Sequence, residues 1–198
     1  MSHGASARLF VAIDPPRPVC ERLAGWARQV ESATRARGGL RLLDVGVLHV
    51  TLCFLGSRPV GEIEQLSEAL AACEAPAFEL SLGAPIWLPA RRARSLAVEV
   101  HDDSGSLARL HQWTAEALSN VCSWQPERRR YRPHITLARV RGDAERGRSR
   151  QARLDPRQPL PATPRVSFQP EALVLYRSWL APEGASYDAL ASSSFALG

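Results

Sequence analysis

The chain has 198 residues, 45% of them hydrophobic, with a formal net charge of +5 and a pI near 9.6. Such length and apolar content suit a globular protein with a substantial core, and no apolar run approaches the roughly 20 residues that a membrane-crossing helix needs. All 25 basic residues are arginine; without lysine, a Walker-type phosphate loop, a nucleotidyl-lysine ligase and a Schiff-base enzyme are excluded.

The guanidinium is a planar fork suited to phosphate oxygens and to base faces. The basic balance favours polyanionic partners, RNA or nucleotides first. Met1 to Arg8 lacks the basic-then-apolar layout of a secretion signal, so the expectation is a soluble cytoplasmic protein. Cys20, Cys53, Cys73 and Cys122 are scattered singly, with no CxxC pair. They read as buried free thiols rather than a zinc or redox site.

In chain order, Leu9 to Ile13 is an apolar run closed by Asp14-Pro15-Pro16 and reads as a buried strand. Val19, Leu23, Trp26, Ala27 and Val30 recur at helical spacing, and that helix is expected to stop near Gly38-Gly39. Leu40 to Asp44 and Leu48 to Leu55 follow as strands, the second ending at Gly56. Ile63, Leu66, Ala69, Leu70 and Cys73 outline a second amphipathic helix. Phe78 to Leu82 and Leu96 to Val100 read as strands around the turn Pro89 to Arg94. Ser104 is the expected cap of a third helix with Leu107, Leu110, Ala117, Leu118 and Val121 on its inner face. Arg132 to Val140, Leu173 to Tyr176 and Ser194 to Leu197 complete the strands, and Asp102-Asp103 is expected just ahead of the third helix. Arg141 to Arg165 is rich in Arg, Pro, Asp and Gln and reads as a surface loop within one domain spanning 1–198. The mixture of helices and adjacent strands indicates an α+β fold with two lobes, each on a largely antiparallel sheet.

Two segments are near copies: His49-Val50-Thr51-Leu52 and His134-Ile135-Thr136-Leu137, with the histidines 85 residues apart. In a strand, positions i and i+2 share a face. Each segment therefore projects an imidazole and a hydroxyl together, and two such faces turned toward each other make a pocket suited to a phosphodiester. The remaining histidines, His3, His101 and His111, read as structural.

The paired motif is the signature of the 2H phosphoesterase family, which this chain resembles over nearly its whole length. Further matching stretches are Arg8 to Ile13, His49 to Gly56, Tyr131 to Arg139, and Leu175-Tyr176-Arg177-Ser178 followed by Pro182, Gly184 and Tyr187. The combination is most similar to the bacterial and archaeal RNA 2′,3′-cyclic phosphodiesterases, historically called 2′-5′ RNA ligases. The resemblance implies a bilobal fold with the site in the cleft between lobes; no cofactor is expected, and two imidazoles and no clear carboxylate cluster make a metal unnecessary. The resemblance maps catalysis onto His49 as proton donor and His134 as proton acceptor, with those two labels open to exchange. It maps phosphate-binding hydroxyls onto Thr51 and Thr136, a substrate-contacting arginine onto Arg139 and a base-stacking aromatic onto Phe54. Arg130 and Arg132, just before the second motif, are further candidates to meet RNA. Cys53 stands where related chains often carry a basic residue, and Asp44-Val45-Gly46-Val47 replaces the usual Pro- and Asn-rich approach to the first motif. Phe54 and Arg139 each lie five residues past a histidine, on the opposite face of an ideal strand, so they reach the cleft only if a bulge or the strand end re-aims them.

The chemistry follows from the residue types. In-line displacement at phosphorus needs a base on one side and an acid on the other, and imidazole serves both near neutral pH. The expected substrate is an RNA end or nucleotide carrying a 2′,3′-cyclic phosphate, opened to a 2′-phosphomonoester by a monomeric protein with no obligatory protein partner. Weak 2′-5′ ligation would be the same chemistry reversed. The alternatives are a phosphodiesterase for small nucleotides or 2′-5′ oligonucleotides, and an RNA-binding module without significant turnover.

Overall fold

The computed structural model describes residues 5–34, 39–73, 75–90, 93–141, 159–181 and 184–195. Nine strands appear among them: β1 (Ser6–Ile13), β2 (Leu40–Leu42), β3 (Val50–Pro59), β4 (Leu80–Leu88), β5 (Ser95–His101), β6 (His134–Val140), β7 (Ser167–Phe168), β8 (Ala172–Ala181) and β9 (Gly184–Ser194). Three helices join them, α1 (Arg17–Thr34), α2 (Ile63–Ala71) and α3 (Ser106–Val121). The strands form one sheet in the order β7-β4-β5-β6-β3-β1-β8-β9, with β2 also on β6. Every ladder in it is antiparallel.

The expected α+β class is therefore present, but the expected two sheets are one. The join is slender. β3 and β6, the two motif strands, pair at a single position, Val50 opposite Ile135. Beyond it β3 pairs with β1, and β6 with β5 and β2. Both joining residues are wholly buried, so the apolar middle residue of each His-x-Thr anchors the two halves. Extending the antiparallel register one step either way sets His49 across from Thr136 and Thr51 across from His134 on the opposite face.

Helix α1 buries Leu23, Trp26, Ala27 and Val30 and packs on β2 and β6. Helix α2 packs on α3, β8 and β9, and α3 packs on β3. At the α3 N-terminus the expected Ser104 is joined by Asp102. The carboxylate of Asp102 accepts the backbone N–H groups of Ser106, Leu107 and Ala108, and Ser104 Oγ is an additional acceptor for Ser106. An ionised acceptor makes the stronger hydrogen bond and complements the helix dipole. Gly105 takes φ +71 between them, a conformation that favours glycine.

Several boundaries move. The described part of α1 reaches Thr34, and 35–38, which lead to its expected stop, lie outside the described residues. β2 stops at Leu42 because the Asp44 side chain accepts the Gly46 N–H and starts a 3-10 turn over Val45–Val47. β3 runs through Gly56, whose φ of +71 accommodates a bulge instead of a stop. The Phe78 to Leu82 strand begins at Leu80 and continues to Leu88. The last strand is Gly184–Ser194, set by pairing with β8 along its length; Ser194 ends it, and 196–198 lie outside the described residues. So do 142–158 of the Arg- and Pro-rich segment. Cys20, Cys53 and Cys73 are buried free thiols, and Cys122 is half-buried.

Candidate active site

Each motif histidine is anchored by its own strand. His49 Nδ1 lies 2.8 Å from the Val47 carbonyl, and His134 Nδ1 lies 2.8 Å from the Arg132 carbonyl. A carbonyl can only accept, so both Nδ1 atoms carry the hydrogen, which leaves each Nε2 to exchange protons. The His49 Nε2 sits 3.1 Å from Thr51 Oγ1, which donates to it while the imidazole is neutral. Two copies of one backbone device thus present two imidazoles in the same tautomer.

Both histidines, Thr51 and Thr136 line one cavity of about 350 Å³. Phe54 and Arg139 line it as well, and the re-aiming of these two has a visible cause. On β6, Thr136 pairs with Ala97 and Ala138 with Leu96, so Leu137 is an extra residue. On β3, Thr51 pairs with Ala12 and Cys53 with Val11, so Leu52 is extra. In both copies the leucine of the tetrad is the bulge. Leu52 with Cys53, and Leu137 with Ala138, are buried in succession. Strict alternation would turn one of each pair to solvent, and for leucine burial is worth about 1.5–3 kcal/mol. The bulge keeps both inside and flips the parity, bringing Phe54 and Arg139 onto the histidine face as counterparts.

The two imidazoles have different surroundings. Phe10 lies 4.8 Å from the His49 ring, and Tyr187 meets it edge-on at 5.3 Å. Tyr176 stacks on Phe10 at 5.2 Å and donates its hydroxyl hydrogen to Asp14 Oδ2 at 2.6 Å. Burial in this aromatic cage holds the His49 pKa down to about 4, opposed by its bond to Val47 and assisted by the charges of His134 and Arg139. Burial likewise raises the Tyr187 pKa against the pull of Arg139 and Arg8, so the phenol stays protonated.

Arg132 does not line the histidine cavity. Its guanidinium is paired with Glu99, and its contribution to the site is the carbonyl that orients His134. Sequence reasoning assigned no site role to Phe10, Arg8, Ser95 or Tyr187, which also line the cavity. Their signal is long-range register, Phe10 opposite Phe54 and Tyr176, and Tyr187 opposite Ser178, and no local spacing carries it. His101 packs against Gly83, and His111 stacks on Tyr131 at 4.0 Å. Among the described residues, no three His, Cys, Asp or Glu gather in a group that could hold a metal ion, and no helix is long and apolar enough to cross a membrane.

The chain is similar to several known proteins. An RNA 2′,3′-cyclic phosphodiesterase of Thermus thermophilus is 30% identical over 198 residues, covering 92% of this chain and 87% of that protein. One of the same name from Aeropyrum pernix is 32% identical over 119 residues, 59% of this chain. That match spans just under two thirds (66%) of the Aeropyrum protein's length. Among solved structures, E. coli LigT complexed with 3′-AMP superposes with a TM-score of 0.75 at 23% identity, covering 96% of this chain and 99% of that one. The family model described as the 2′-5′ RNA ligase superfamily matches residues 15–178, and the chain belongs to that superfamily.

Proposed function

We propose that the protein hydrolyses 2′,3′-cyclic phosphate ends of RNA to 2′-phosphomonoesters by two-histidine acid–base catalysis without a metal. The observation that carries this reading is the pair of Nδ1-anchored imidazoles that line one cavity together with Thr51 and Thr136. The names of the Thermus and Aeropyrum relatives support the substrate class.

His134 Nε2 takes a proton from water, whose oxygen attacks phosphorus. The bond from phosphorus to the 3′ oxygen breaks in line, and His49 Nε2–H protonates that oxygen. Exchange with solvent then returns the proton from His134 to His49. Thr51 and Thr136 donate to the equatorial oxygens, where charge accumulates. Arg139, 3.4 Å from Ser95 Oγ, adds a cation at the same wall. His49 is neutral in the free protein, so its role as acid requires the substrate anion to raise its pKa. Protonation of Nε2 also releases the Thr51 hydroxyl hydrogen from His49 to the phosphate.

A second reading, a phosphodiesterase for small nucleotides, is favoured by the cavity's size, about 350 Å³, at the low end for ligand pockets. E. coli LigT has been crystallised with 3′-AMP. The test is incubation with an oligoribonucleotide ending in a 2′,3′-cyclic phosphate, with product isomers resolved. The proposal predicts a 2′-phosphate product; a 3′-phosphate, or turnover of cyclic mononucleotides alone, contradicts it.

A further inference from the structure

A second cavity of about 310 Å³ adjoins the first, and Thr51, Phe54 and His134 line both. Its other wall is the segment leading into the second motif, with Arg129, Arg130 and Glu127. Arg132 also lines it but is committed to Glu99. No ion pair involves Arg129 or Arg130 among the described residues, so two exposed guanidiniums outweigh the single carboxylate of Glu127. The wall is tied to the catalytic strand. Trp124 Nε1 donates to the Phe54 carbonyl at 3.0 Å, and the Tyr131 hydroxyl donates to the Thr51 carbonyl at 3.2 Å. Phe54, 39% exposed, stands at the border. The Arg8 guanidinium covers one side of its ring at 4.6 Å from the centroid, which leaves the other for a stacked base.

We propose that this second cavity is a subsite for the nucleotide preceding the reacting end, with Arg129 and Arg130 holding the intervening phosphodiester and Phe54 standing between the two nucleotides. The inference rests on the phosphodiesterase reading above. It follows from what the cavity offers: cations at an exposed rim for a phosphodiester anion, an aromatic face for a base, and an opening onto the reacting phosphate. The Cys53 thiol on its floor is no nucleophile, because burial pushes its pKa up to about 12.

The experiment compares kcat/KM for a ribonucleoside 2′,3′-cyclic phosphate and for a tetraribonucleotide with the same cyclic end. It uses the full chain, the Arg129→Ala/Arg130→Ala double variant and the corresponding double Lys variant. The wild type should prefer the tetranucleotide, and the double Ala variant should lose about tenfold of that preference while the Lys variant keeps most of it. The cyclic mononucleotide serves as the internal control for folding, since it does not reach the second cavity. If both substrates are hydrolysed and the Ala variant changes their rates equally or not at all, the subsite is overturned and the phosphodiesterase reading stands. A wild type with no preference for the tetranucleotide likewise overturns the subsite alone. If the wild type hydrolyses neither, the phosphodiesterase reading falls and takes the subsite with it.

Discussion

The most consequential residue is His49, because its aromatic cage decides its charge. With burial holding its pKa near 4 in the folded protein, against about 6.5 in an unfolded chain, the unfolded chain binds the extra proton between those values. Stability should therefore fall as pH drops from about 6.5 toward 4. Urea melts across that range should show this loss, and His49→Gln should flatten it. The same cage predicts that His49, followed by NMR, titrates near 4 in the free protein and moves up when inorganic phosphate binds. A midpoint near 6.5 without phosphate contradicts the cage. At the neighbouring positions, Thr51→Val and Thr136→Val keep the shape and the strand preference but remove a hydroxyl. Each should lower kcat by up to about 100-fold with little change in the melting midpoint, as kinetics and urea melts together will report.

At the scale of elements, the bulged strands decide which arginine matters. Arg139 reaches the histidine cavity because Leu137 is an extra residue in β6, whereas the Arg132 guanidinium is held by Glu99. Arg139→Ala should therefore reduce kcat/KM by about 10–100-fold. Arg132→Ala should change it by less than about fivefold, the worth of an exposed ion pair. Equal losses would mean that the bulge does not select the arginine. The imidazole and hydroxyl of each motif were legible because period-2 alternation needs only four adjacent residues. Phe54 and Arg139 were legible only on condition of a bulge or a strand end, and the local sign of the bulge is the apolar pair after each threonine, Leu52-Cys53 and Leu137-Ala138. Phe10 and Tyr187 were not legible as site residues, because pairing among β1, β8 and β9 brings them to His49 from opposite ends of the chain. At α3, Ser104 accepts the Ser106 N–H as expected, but Asp102 was not legible as the further acceptor, because it reaches the N–H groups from farther back, across the Gly105 turn.

At the scale of the molecule, the site exists because two copies of one strand motif meet at a single buried pair, Val50 and Ile135. The expectation of two sheets came from two halves that are each antiparallel; the one pair that joins them is invisible to local pattern. On the proposed mechanism, proton transfer at the junction needs only the two imidazoles, so turnover should be unchanged after dialysis against EDTA, and loss restored by a divalent cation would point to another mechanism. The sharpest test of paired-histidine catalysis is a double-mutant cycle, with turnover measured for His49→Ala, His134→Ala and both together. Paired catalysis predicts a loss of about 10²–10⁴-fold for each single variant and little further loss in the double, because acid and base act as a unit. A single variant that keeps a near wild-type rate, or losses that multiply in the double, would contradict it.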